Sequence, residues 1–149
     1  MYESILVPLD GSERSEQILP HAAELAEKFG TKLLLLQVIT PIYHMESLER
    51  PGYAQVILED VREMKTSAST YLKSHKLRLN EQGIGAEFRV VEGQPVEAIL
   101  AVADEANVDM IAMSSHGRTG LPRVFYGSVA AGILHGTNRP LLLIRSELH

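Results

Sequence analysis

The chain of 149 residues carries 14 Lys and Arg against 19 Asp and Glu, a net charge of −5, with 45% hydrophobic residues and neither Cys nor Trp. That length suits one domain, residues 1–149, around one core. The lack of cysteine excludes a disulfide scaffold, a thiolate nucleophile, an iron–sulfur cluster and a Cys-ligated zinc site. An acidic balance argues against general nucleic-acid binding, and apolar runs such as residues 33–36 are far too short to cross a membrane. The opening MYESILVPLDGS lacks the basic region and long apolar stretch of a signal peptide, so a soluble, cytoplasmic protein is expected.

Short apolar runs alternate with segments of helical spacing. Residues 4–9 (SILVPL) read as a first strand. Residues 12–29 read as a helix, with Ile18, Ala22, Leu25, Ala26 and Phe29 three or four apart, Ser12 as N-cap and Gly30 as terminator. Pro20 falls inside that helix and should kink it. Residues 32–39 (KLLLLQVI) form the second strand. The connection 40–52, with Pro41 and Pro51 near its ends, is long enough to serve as a functional loop or lid.

Residues 54–82 predict a long helix with a core stripe of Ile57, Val61, Met64, Ala68, Leu72 and Leu79, ended by Gly83 and Gly85. Residues 87–91 (EFRVV) are the weakest strand. Residues 95–106 form a helix with Pro95 in its tolerant first turn. A strand at 109–113, a helix at about 127–135 capped by Ser128 or its neighbour, and a strand at 140–144 complete the order. Regular β-α alternation specifies a doubly wound parallel α/β sheet.

Ligands of such sheets bind beyond the carboxyl ends of the strands, where strand order reverses. Residues 113–128, MSSHGRTGLPRVFYGS, combine glycines, hydroxyls, Arg118, Arg123 and a Gly127-Ser128 helix start. Bare backbone, positive helix end and guanidinium groups suit a phosphate, although an ordinary βα loop uses the same residues. After the first strand, Asp10 is placed either to accept ribose or base hydrogen bonds or to hold a metal; equally, it simply shapes the turn before Ser12.

The P-loop, G-x-G-x-x-G and G-x-S-x-G motifs are missing, and only one acid follows the first strand where a phosphoacceptor domain needs a pair. Six histidines show no metal-ligand spacing; His21 and His135 read as structural or solvated, whereas His116 sits within the glycine loop.

The segments ILVPLDGS at 5–12, MSSHGRTG at 113–120, Gly127-Ser128-Val129 and PLLLIR at 140–145 closely resemble the universal stress protein family along the whole chain. The resemblance implies strand order 3-2-1-4-5 and a homodimer through the last strand. It also implies ATP binding through G-x-x-G-x9-G-[ST], which here reads Ser114, Gly117, Gly127 and Ser128, so the first glycine is replaced.

Other positions carry over singly. Asp10, beside Pro8, lies near the adenosine; the Val38 backbone reads the adenine edge; Met113 packs against the nucleotide; Ser128 and Val129 meet the outer phosphates. His116 and Arg118 lie within the same loop. Ser114 adds a side chain where a glycine would leave the backbone bare, with its hydroxyl offered to the nucleotide.

The implied function is an ATP-binding stress or regulatory module, with AMP or ADP as possible ligands and Mg2+ carried by the phosphates. Hydrolysis is slow at most, and an unidentified protein partner is expected, without nucleic acid or membrane. The competing readings are a nucleotide-independent interaction module of the same fold and, on the Gly-Ser pair alone, a small-molecule hydrolase.

Overall fold

The computed structural model describes residues 1–115 and 127–146. Its elements are β1 (Ser4–Pro8), α1 (Glu13–Glu16), α2 (Ile18–Phe29), β2 (Lys32–Ile39), α3 (Tyr53–Glu81), β3 (Ala86–Glu92), α4 (Pro95–Glu105), β4 (Met110–Ser114), α5 (Ser128–Gly136) and β5 (Leu141–Ile144). The five strands form one parallel sheet in the order β3-β2-β1-β4-β5. Strand β1 is central because it is apolar on both faces, with Ile5, Leu6 and Val7 all buried.

The alternation of side chains divides the core. Ile5, Val7, Leu33, Leu35 and Ala112 face α2 and α3, packing against Ile18, Ala22 and Leu72. Leu6, Leu36, Ile111 and Met113 face α4 and α5, packing against Ile99, Val102, Ala130 and Ile133. At the amino end of the sheet the Asp109 carboxylate accepts from the N–H groups of Glu3 and Ser4, at 2.7 and 3.0 Å, and fixes where β1 begins.

The expected helix 12–29 is two helices. Pro20 has no N–H to return to the carbonyl of Glu16 four residues earlier, so the chain breaks at Gln17 and restarts with Pro20 in the first turn of α2. Ser12 is the N-cap, its hydroxyl accepting from Ser15 N–H, and Gly30 (φ 65°) closes α2 in the left-handed conformation.

The long helix departs from expectation in its burial. Ala68, Leu72, His75 and Leu79 are buried, but the stripe fades towards the front, where Ile57 and Val61 are half-buried and Met64 is exposed. A helix of 29 residues is about 43 Å long. Only its second half lies flat on the sheet, and its first half overhangs.

Candidate nucleotide site

Tight turns bring three strand ends to one place. After β1, Asp10 Oδ1 accepts from both the N–H and the hydroxyl of Ser12, at 2.9 and 2.5 Å, while the Asp10 N–H donates to Ser15 Oγ at 3.2 Å. The turn-shaping role expected of Asp10 is therefore real, and the residue also borders a cleft. After β2, the Thr40 hydroxyl donates to the Gly93 carbonyl at 2.7 Å and joins the ends of β2 and β3.

After β4, Ser115 N–H donates to Ile144 O and Gly127 N–H to Ser115 O, each at 2.7 Å. This second bond sets the start of α5 beside the end of β4. Among the described residues no side chain caps α5, and the N–H groups of its first turn face the cleft end of the helix. Gly127 has φ −67° and ψ 162°, a conformation open to any residue; what glycine provides here is a bare backbone.

The result is a cleft of about 370 Å³ at the carboxyl end of the sheet, within the size range of small-molecule sites. Pro8, Asp10, Val38, Met113, Ser114, Gly127, Ser128 and Val129 all line it, so every sequence-nominated site residue within the described region converges on one place. His116, Gly117 and Arg118, with Arg123, lie outside the described residues. Of the loop 40–52, Thr40 borders the cleft, while Ile42, Tyr43 and Met45 are exposed around a short 3-10 turn at Met45–Ser47.

One side of the site was not legible from spacing. Behind Asp10 and Ser15, Glu16 Oε1 lies 3.2 Å from His75 Nε2 on α3, and Tyr71 stacks edge-on against His75 with ring centroids 4.8 Å apart. Burial pushes the His75 pKa down; Glu16 opposes this and Arg78 adds to it. The neutral ring then donates from Nε2 to the carboxylate. Burial, followed by the charges of Glu16 and Asp10, pushes the Tyr71 hydroxyl well above its ordinary range.

Gln37 was also missed. Its side-chain oxygen is buried without a hydrogen-bond partner among the described residues, and the residue lines both the cleft and a shallow neighbouring groove with Met64 and Tyr71. The signal is a lone amide within the apolar run 33–39 of β2.

With this geometry in place, the comparisons are specific. Residues 1–145 match the model of the universal stress protein family. The chain belongs to this family.

Universal stress protein MJ0577 of Methanocaldococcus jannaschii is 30% identical over 99% of this chain and 97% of its own length. Its solved structure superposes with a TM-score of 0.86, covering 100% of this chain and 99% of that one. Universal stress protein YxiE of Bacillus subtilis is 30% identical, covering 97% of this chain and all of its own. A universal stress protein from Archaeoglobus fulgidus, solved in complex with dAMP, shares the fold at 21% identity and a TM-score of 0.61, covering 96% of this chain and 98% of that one. The doubly wound sheet and the family expected from the sequence both stand.

Proposed function

We propose that this protein binds an adenine nucleotide, ATP or its mono- and diphosphate forms, in the cleft between the ends of β1, β2 and β4 and the start of α5. It works in the cytoplasm as a nucleotide-responsive homodimer that alters its contacts with a protein partner. The carrying observation is the convergence of the eight described motif residues on one cleft, with the start of α5 forming part of its wall.

The two walls suit the two ends of such a ligand. Phosphates take the α5 side, where Ser128 and Val129 offer backbone N–H groups and the helix end favours negative charge. The adenosine takes the side of Pro8, Asp10, Val38 and Met113, where a carboxylate and a strand backbone read ribose and base. The unpaired oxygen of Gln37 adds an acceptor for a donor group or a bound water. The dAMP complex of the Archaeoglobus fulgidus relative supports an adenine ligand for this fold.

Mg2+ would come with the phosphates, because the described residues contain no group of three His, Cys, Asp or Glu able to hold a metal. Hydrolysis is slow at most, since phosphoryl transfer needs a residue that orients water against the terminal phosphate, and the sequence marks none for that task.

The dimer is assigned to β5, an edge strand of four apolar residues. The carbonyls of Pro140 and Ile144 bond inward to β4, so the backbone groups of Leu143 point to the open edge. Leu143→Pro removes an outward donor and keeps the inward ladder, and should give a monomer in sedimentation analysis.

The test of the site is calorimetric titration of nucleotide-free protein with Mg-ATP beside Gly127→Val. Because the backbone at 127 accepts valine, the variant should fold and lose at least tenfold in affinity from a micromolar wild type. Absence of heat from the wild type at millimolar Mg-ATP would sink the nucleotide reading and favour the nucleotide-independent interaction module.

A further inference from the structure

Ser114 occupies the position where the family's phosphate-binding pattern begins with glycine, and it is the place where this chain departs from that pattern. Strand alternation decides where its side chain goes. Met113 faces the α4–α5 layer, so Ser114 faces the opposite layer, towards α1. Its hydroxyl is buried and donates to the main-chain carbonyl of Ser15 at 3.2 Å, across 99 residues of sequence. The hydroxyl proton is thus committed to a contact inside the protein.

We propose that Ser114 is a positioning residue that braces the α1 turn and thereby holds Asp10 in its binding orientation. Four hydrogen bonds make the chain continuous. Ser114 Oγ–H holds Ser15 O; Ser15 Oγ receives the Asp10 N–H; Ser12, whose hydroxyl receives the Ser15 N–H, donates to the Asp10 carboxylate. On its far side α1 is held by Glu16 against His75 of α3. A one-turn helix has almost no stability of its own, so its position is set by these outside contacts. Fixed from both sides, it passes the orientation set by β4 to the carboxylate at the end of β1.

This inference rests on the nucleotide reading, and Mg-ATP titration separates the two. If Ser114 is a brace, Ser114→Ala and Ser114→Gly each weaken Mg-ATP binding by about 3- to 10-fold, the scale of one hydrogen bond. If the serine merely crowds the phosphate site, Ser114→Gly binds more tightly than the wild type, and that result overturns the brace.

A double-mutant cycle gives a readout that a general loss of packing would not move. In an Asp10→Ala background, where there is no side-chain acceptor left to orient, Ser114→Ala should cost less than twofold; an equal loss in both backgrounds overturns the route through Asp10. In the ligand-free protein, the Asp10 and Ser15 amides should exchange with solvent faster in Ser114→Ala, and unchanged exchange likewise overturns the brace. A wild type that fails to bind Mg-ATP removes both readings together, whereas binding with tighter Ser114→Gly removes this one alone.

Discussion

The two walls of the cleft are built on different principles. The α4–α5 wall is apolar and closely packed: an ideal Cβ on Gly132 would lie 2.6 Å from Val96 Cγ2, and one on Gly136 would lie 2.7 Å from Leu100 Cδ1. Its chemistry comes from the backbone at the start of α5. The α1–α3 wall is a side-chain network in which Asp10, Ser12, Ser15, Glu16 and His75 hold one another, with Tyr71 packed alongside. A wall that offers backbone needs only to be rigid, whereas a wall that offers a carboxylate needs partners to aim it.

The larger perturbation should come from the packed wall. Gly132→Ala forces a methyl into Val96, a β-branched side chain with little freedom to turn. Overpacking of this kind costs about 1–3 kcal/mol, and the better helix propensity of alanine returns about 1 kcal/mol. Chemical denaturation should show a net loss of about 1 kcal/mol, with Mg-ATP affinity falling as α5 is displaced. Adding Val96→Ala makes room for the new methyl and should recover part of both; a double variant no better than the single one would place the strain elsewhere.

The polar wall should respond to pH, and more gently. The folded pKa of His75 lies below the ordinary 6.5, burial being the largest cause. The unfolded chain therefore binds the proton more readily, so the stabilising contribution is complete above pH 6.5 and is lost as pH falls through the lower folded value. Glu16 works against burial, which limits the size of the effect. His75→Gln, which cannot titrate, should flatten the dependence of the melting temperature between pH 7 and 5, and an unchanged slope would assign it to another group.

Much of the apolar wall is legible in the sequence; of the polar one the Asp10–Ser12 turn is legible and the Glu16–His75 pairing behind it is not. β2 emerges with its expected bounds because eight residues of nearly continuous apolar character admit no other reading in a parallel sheet. The start of α5 was legible from Gly127-Ser128 because helix termini leave local marks. The pairing of Glu16 with His75 leaves none, since a contact across 59 positions depends on how α3 is laid over the sheet.

Two misreadings have a geometric origin. Periodicity runs the length of α3, but it cannot say how far the sheet extends beneath the helix, so Met64 was counted as core. Pro20 is expected to kink the helix, yet its missing donor, acting on the carbonyl four residues upstream, divides the helix altogether at Gln17.

The central place of β1 has a consequence for how the chain reaches this structure. Ile5 lies beside Leu33 on one side and Met110 on the other. During synthesis, β1, β2 and β3 can assemble from the first 92 residues, but the second side of β1 must wait for β4. Through that interval a strand whose three middle residues are fully buried in the finished protein presents an unpaired edge, the kind of surface on which nascent chains pair with one another. The long separation also predicts slow folding relative to a helical bundle of equal length. The later step brings β4 alongside β1 and, with α5 behind it, forms the second wall of the cleft, so the second side of the sheet and the cleft are assembled together.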